Sequence, residues 1–320
     1  MVIQSIKSVF AIMMLIFTGF YFAGKKWFGK PGMDFLSKFT VEATLPFYMF
    51  YSIHRDIGTR KGLIELFSKL PVTFCLILFI LLLAALTGRV LRIAPERRNT
   101  FTVACGFPNV VFIGFPVIQA LWGDGITSVG AVYYISSTVL FWTIGIWLLQ
   151  RDGKNGKASE KAFLSGLKML ISPAIIGMLA AMLVVFFEIP VSDIILKPLS
   201  MISQLTSPLA LIFIGSVIRN MDPSSITLGK DVAAALFVRF LVVPAAAVFF
   251  LRLMPIPTQM REVFFMLSTM PAMAQMGIMA RQYNRDYEFA CTIITMTTVI
   301  SMLTIPLFMY LIQQFQIFGV

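Results

Sequence analysis

Gly106-Phe107-Pro108-Asn109-Val110-Val111-Phe112-Ile113-Gly114-Phe115-Pro116 and Thr269-Met270-Pro271-Ala272-Met273-Ala274-Gln275-Met276-Gly277 are two apolar segments interrupted in the same way. Pro108 matches Pro271 and Gly114 matches Gly277, at a spacing of about 163 residues. Proline removes a backbone donor and crowds the preceding turn, so a helix is expected to break at each site. In lipid an unpaired peptide group costs several kcal/mol, and a broken helix survives only where protein or a wet cavity satisfies it. Interrupted segments at equivalent places in two halves of a chain mark a transporter's substrate site.

The surroundings of both segments are those of a membrane protein. Hydrophobic residues make up 58% of the chain and charged residues 13%, with a mean hydropathy of +0.87. A soluble protein this apolar would expose large aggregating patches. A spanning helix needs ~20 mostly apolar residues. About ten such segments are expected, at 5–24, 33–54, 66–88, 99–119, 126–149, 162–187, 193–219, 230–253, 260–281 and 287–316. Lys7 precedes the first apolar run, as in a signal peptide, but the run is long and Phe22-Ala23-Gly24 is a poor cleavage site, so a retained first helix is expected.

The longest polar stretch, Arg151 to Lys161, follows the fifth segment and divides the chain into a first repeat (1–150), a linker (151–161) and a second repeat (162–320). Five helices per half turn the second half upside down relative to the first, which is the arithmetic of an inverted repeat. A second match supports it: Pro46, in the segment 42–53, aligns with Pro208, in the segment 204–215, about 162 residues on. The expected fold is therefore all-α, with ten transmembrane helices in two inverted five-helix repeats and broken helices four and nine.

The net charge of +11 invites a nucleic-acid reading, but the basic residues are spread over loops. With the N-terminus outside, the inner loops hold more Lys and Arg than the outer ones, and the positive-inside rule then makes the linker cytoplasmic and both termini external. The basic stretch Arg55–Lys69 runs against this orientation. Cys75, Cys105 and Cys291 have neither metal nor redox spacing. No nucleophile motif, phosphate loop or His/Cys cluster appears. The chain reads as no enzyme, with no cofactor and no nucleotide-driven pumping of its own.

The order and spacing of several short motifs resemble the auxin efflux carrier family over nearly the whole chain. Asn109, Gly114-Phe115-Pro116, Ala120-Leu121-Trp122-Gly123 and Trp142-Thr143-Ile144-Gly145 look like its first half. Met270-Pro271-Ala272, then Ala280, Tyr283, Asp286, Ala290, Ser301 and Thr304-Ile305-Pro306, look like its second. The resemblance implies a fold similar to bile-acid symporters and sodium/proton antiporters, with a scaffold part and a transport part. It also implies elevator-type movement of small carboxylates such as malate, malonate or auxin-like acids. The short central loop makes the chain look like a bacterial-type member, in the inner (plasma) membrane. Pro108 stands where several relatives carry glycine, and the substrate stays open.

The breaks carry the expected substrate site. A helix that starts anew exposes free N–H groups and about half a positive charge, which together suit an anion. The site residues are Pro108, Asn109, Val110 and Gly114 in helix four, and Pro271, Ala272, Gln275 and Gly277 in helix nine. Asn109 either contacts substrate or caps its half-helix. Gln275 either contacts substrate or bridges helices. Both glycines suit close backbone approach. Glu42 is a coupling candidate, since an acidic residue inside a helix faces a partner or cavity; the alternative is an ion pair with Lys38. Arg239 either draws an anionic substrate inward or snorkels to the inner face. His54, the single histidine, reads as a helix-end residue.

Two functions fit: a secondary carrier of organic anions, or a sodium- or proton-coupled cation transporter on the same fold. No acidic residue follows either break until Asp124 and Asp286. The partners expected are a small carboxylate, the lipid bilayer and a coupling ion (sodium or proton). The fold analogy also allows a homodimer.

Overall fold

The computed structural model describes residues 2–151, 172–220, 229–283 and 285–319. All regular structure among them is helical. The polar linker, apart from Arg151, lies outside the described residues, as does the start of the sixth apolar segment.

In chain order the helices are α1 (Val2–Gly24), α2 (Lys30–Lys38), α3 (Leu45–Ile57), α4 (Arg60–Phe67), α5 (Leu70–Val90) and α6 (Arg98–Gly106). There follow α7 (Phe115–Trp122), α8 (Thr127–Leu140), α9 (Ile146–Arg151), α10 (Pro173–Phe186), α11 (Asp193–Gln204) and α12 (Thr206–Arg219). The last are α13 (Lys230–Phe237), α14 (Val243–Arg252), α15 (Thr258–Ser268), α16 (Gln275–Gln282) and α17 (Tyr287–Phe315). Among the described residues, five continuous stretches can cross a membrane by length and composition: Arg60–Val90, Asp124–Arg151, Asp193–Arg219, Lys230–Arg252 and Tyr287–Ile312. Shorter apolar helices cover Phe10–Gly24, Val110–Trp122 and Pro173–Phe186. This is a helical membrane protein.

Three of the prolines inside helical paths, unlike Pro198 and Pro306, follow a widened stretch of backbone. The π-helical turns Phe39–Thr44, Val110–Gly114 and Val238–Val242 each end two residues before a proline: Pro46, Pro116 and Pro244. The residue before the proline then bonds five residues back, Leu45 to the carbonyl of Thr40 and Val243 to that of Val238. The extra residue relieves the clash between the proline ring and the carbonyl below it.

The chain forms two compact units, and each draws on both sequence halves. The first unit comprises 1–70, 111–135 and 171–221. Its helices meet through glycines. A Cβ on Gly19 would lie 2.0 Å from the carbonyl oxygen of Ile212, and one on Gly215 would lie 1.9 Å from that of Ile16. The backbones of α1 and α12 therefore touch directly, the packing on which helix association relies where apolar burial gives no advantage over lipid. Gly177 of α10 meets the carbonyl of Pro46 in the same way. The hydroxyls of Thr44 and Thr206, both fully buried, are 2.9 Å apart. These are the threonines two residues ahead of the matched prolines. In the first turn of α3 Tyr48 bonds Thr127 at 2.8 Å, and at its C-terminal end the Asp56 carboxylate accepts from Arg55 at 2.8 Å and from the Ser128 N–H at 3.2 Å.

The second unit comprises 71–110, 136–170 and 222–320. One ionic knot ties three of its helix starts. Arg97, just before α6, donates to Asp286 at 2.6 Å and lies 3.6 Å from Asp231 at the start of α13. Asp286 also caps α17 by accepting from the Phe289 N–H at 2.9 Å. Desolvation works to lower the pKa of Arg97, but the two carboxylates outweigh it and hold the pKa above its ordinary value. It stays a cation across the accessible pH range.

Gly215→Val is expected to destabilise the detergent-solubilised protein by ~2 kcal/mol or more, because two backbones would have to separate. Gly125→Ala, where nothing lies within 4 Å of the new Cβ, is the control that leaves the unfolding midpoint unchanged.

Candidate functional site

Both breaks lie in the second unit, and they pair with each other. After α6 and after α15 the chain becomes extended, and Pro108 forms an antiparallel bridge with Ala272. The Asn109 N–H donates to the Pro271 carbonyl at 2.8 Å, and the Met273 N–H donates to the Phe107 carbonyl at 3.0 Å. A local two-fold exchanges these two bonds. Pro108 faces Ala272, one residue beyond the proline with which it aligns in sequence. The Ala272 N–H turns the other way, to Thr297 Oγ1 of α17 at 3.1 Å. The same hydroxyl donates to the Ile293 carbonyl at 2.7 Å.

This pairing strands carbonyls at the ends of the preceding helices. In an uninterrupted helix the Cys105 carbonyl would accept from Asn109, four residues on, but that N–H serves Pro271. The Met270 carbonyl would likewise need Ala274. Both carbonyls are instead taken by Arg239, which rises from the widened turn Val238–Val242. Its Nη1 donates to Cys105 at 2.5 Å, its Nε donates to Met270 at 2.8 Å, and its Nη2 also reaches Met270. Arg239 is 1% exposed. Burying a guanidinium costs several kcal/mol unless its donors are matched. Here carbonyl dipoles match them, and the negative end of α6 adds to the attraction.

The donor side of the second break is left open. The Met276 and Gly277 N–H groups turn back to the carbonyls of Met273 and Ala274, at 3.2 Å each. Among the described residues, the N–H groups of Ala274 and Gln275, at the start of α16, have no partner. Gln275 is exposed and Ala274 half-buried. A Cβ on Gly277 would stand 3.1 Å from the Ile294 side chain and 3.4 Å from Cys291 Sγ, so this glycine lets α16 lie close against α17. Asn109 and Val110 are buried beside the bridge.

The structure therefore gathers Pro108, Asn109, Val110, Pro271, Ala272, Gln275 and Gly277 in one unit. Gly114, buried at the end of its π turn, belongs to the other. Arg239 is buried and does not snorkel, and its guanidinium donates to backbone carbonyls that the prolines leave without N–H partners. Glu42 is exposed on its π turn, 3.9 Å from Lys38 Nζ at i−4, which is the ion-pair geometry. His54 is half-buried on α3, stacked on Phe50. Thr297 escaped the sequence reading: a lone threonine in an apolar helix carries no local signal, and only the bridge shows its purpose.

Paired interrupted helices inside an apolar bundle, with backbone donors left free at one helix start, define a membrane transporter. The chain belongs to the membrane transport protein family, that of the auxin efflux carriers, whose model matches residues 4–309. It is 27% identical to an uncharacterized transporter of Methanocaldococcus jannaschii over 93% of this chain and 96% of the relative. It is 22% identical to an uncharacterized transporter of Methanothermobacter thermautotrophicus over 95% of this chain and 97% of the relative. Both relatives are archaeal, so the bacterial type rests on the short central loop alone.

Thr297→Val keeps shape but removes the acceptor of a buried N–H, and is expected to cost ~1–3 kcal/mol. Thr298→Val, whose hydroxyl bonds only its own helix at Ile294, is expected to cost little. Unfolding midpoints of the two variants in detergent check the difference.

Proposed function

We propose that this chain is a secondary carrier of small organic anions, with carboxylates such as malate, malonate or auxin-like acids as the substrate class. The observation that carries the reading is the free N–H pair of Ala274 and Gln275, in the same break that holds the buried guanidinium of Arg239. A helix start offers both donors and positive potential to a carboxylate. No Asp or Glu lies between 98 and 118 or between 263 and 283, so nothing acidic at the breaks competes with an anion. In this reading Asn109 and Gln275 are the side chains that orient it.

The ten-helix inverted repeat belongs to the same proposal. The two-fold exchange of bonds at the bridge and the contact between Thr44 and Thr206 support it. Transport would follow an elevator-type cycle in which the part bearing the breaks changes its access from one side to the other. The inside of a cell is negative, so an anion leaving gains ~2.3 kcal/mol per charge per 100 mV. Efflux needs no co-ion, whereas uptake needs cotransported protons or sodium. A cation exchanger on this fold is disfavoured by the fixed positive charge at the break. The orientation with both termini outside, the homodimer and the plasma-membrane location remain part of this proposal.

The test is solid-supported-membrane current from proteoliposomes offered a panel of mono- and dicarboxylates, with and without sodium and a pH gradient. A current for one carboxylate, abolished by Asn109→Ala, is the expected result. Silence for every carboxylate with currents from sodium or pH jumps alone overturns the anion reading.

A further inference from the structure

Carriers with interrupted helices use two kinds of freed backbone group: half-helix starts hold an anionic substrate, while unwound carbonyls and half-helix ends hold a coupling cation. In this chain the second kind is already occupied. The carbonyls of Cys105 and Met270, freed by the two breaks, converge on one guanidinium. The oxygens of Phe107 and Pro271 are taken by the bridge.

We propose that Arg239 is a resident cation: its guanidinium fills the place at which a carrier of this architecture would bind a coupling sodium ion, so this chain works without sodium. The inference rests on the anion-carrier reading for its substrate, but its charge chemistry is testable without one. The guanidinium is planar and cannot be deprotonated at any working pH. It spans two carbonyls on two different chain segments, which a point charge on a flexible stem does less well. Its tether keeps it in place, so no ion gradient can drive the carrier through this position. Any coupling would fall to protons or to exchange of one anion for another.

The experiment has a stability arm and a transport arm. In the stability arm, the wild-type unfolding midpoint in detergent is expected to be the same in sodium and in choline chloride at equal ionic strength. Arg239→Ala is expected to lower the midpoint. Millimolar guanidinium, well below denaturing concentrations, is expected to raise it again saturably, whereas methylurea, of similar shape but neutral, does not. Arg239→Lys keeps a cation in place and is expected to fall between the two and to show no guanidinium response. A wild-type midpoint that rises with sodium overturns the inference. So does an Arg239→Ala midpoint that guanidinium and methylurea leave equally unmoved. Should Arg239→Ala not fold, the wild-type comparison and Arg239→Lys still decide: a saturable sodium response in either overturns the proposal, and none in both sustains it. In the transport arm, carboxylate current that survives replacement of sodium by choline is expected, and its loss overturns the proposal. Absence of any carboxylate current, with the stability arm as expected, sinks the substrate class and leaves the resident cation standing.

Discussion

Pro108 and Pro271 create a debt of backbone hydrogen bonds inside an apolar unit, and the surrounding structure is arranged to settle it. Each proline ends a helix and leaves carbonyls below the break and N–H groups above it. An unsatisfied group there costs several kcal/mol. The bridge between Pro108 and Ala272 consumes two donors and two acceptors. Thr297 accepts from a further donor, and Arg239 serves the two stranded carbonyls. Among the described residues, the N–H groups of Ala274 and Gln275 at the start of α16 stay open. The bridge, Thr297 and Arg239 thus match internally much of what the two prolines free.

Much of this was legible in the sequence because proline acts locally. The two breaks, the helical membrane class and the gathering of both proline segments follow from residue type and hydropathy alone. The family resemblance drawn from Asn109, Gly114 and Met270-Pro271-Ala272 agrees with the match across residues 4–309. Arg239 was recognised as unusual but its partner was not, because its partners are main-chain carbonyls at Cys105 and Met270 and carry no side-chain signature. Thr297 was invisible for the same reason. The bridge itself had no signal in the sequence: the repeat match of Pro108 with Pro271 does not say which residues oppose each other, and hydrogen bonding opposes Pro108 to Ala272. The interlacing of the halves into two units was equally hidden, since contacts distant in sequence decide it.

The widened turns show a different economy. A proline within a helix ordinarily kinks or ends it. Pro46, Pro116 and Pro244 each follow one extra residue, and the helical path continues. The insertion also rotates the side chains beyond it, and in the turn Val238–Val242 this accompanies the inward aim of Arg239. The turn that accommodates Pro244 is thus also the one that carries Arg239. Backbone geometry and electrostatics are coupled here through a single residue of extra length.

The reciprocal notches at Gly19 and Gly215 work as a dovetail. Each glycine receives a carbonyl of the opposing helix, from Ile212 and from Ile16. Shifting α1 along α12 by one turn would drive side chains into those carbonyls, so the two helices hold one vertical register. Paired helices that can slide adapt to bilayers of different thickness by changing their stagger. This pair cannot, and a thicker or thinner membrane has to be met by tilting both helices together or by deforming the lipid around them. The first unit thereby has a preferred hydrocarbon thickness, set by where two glycines fall in the chain.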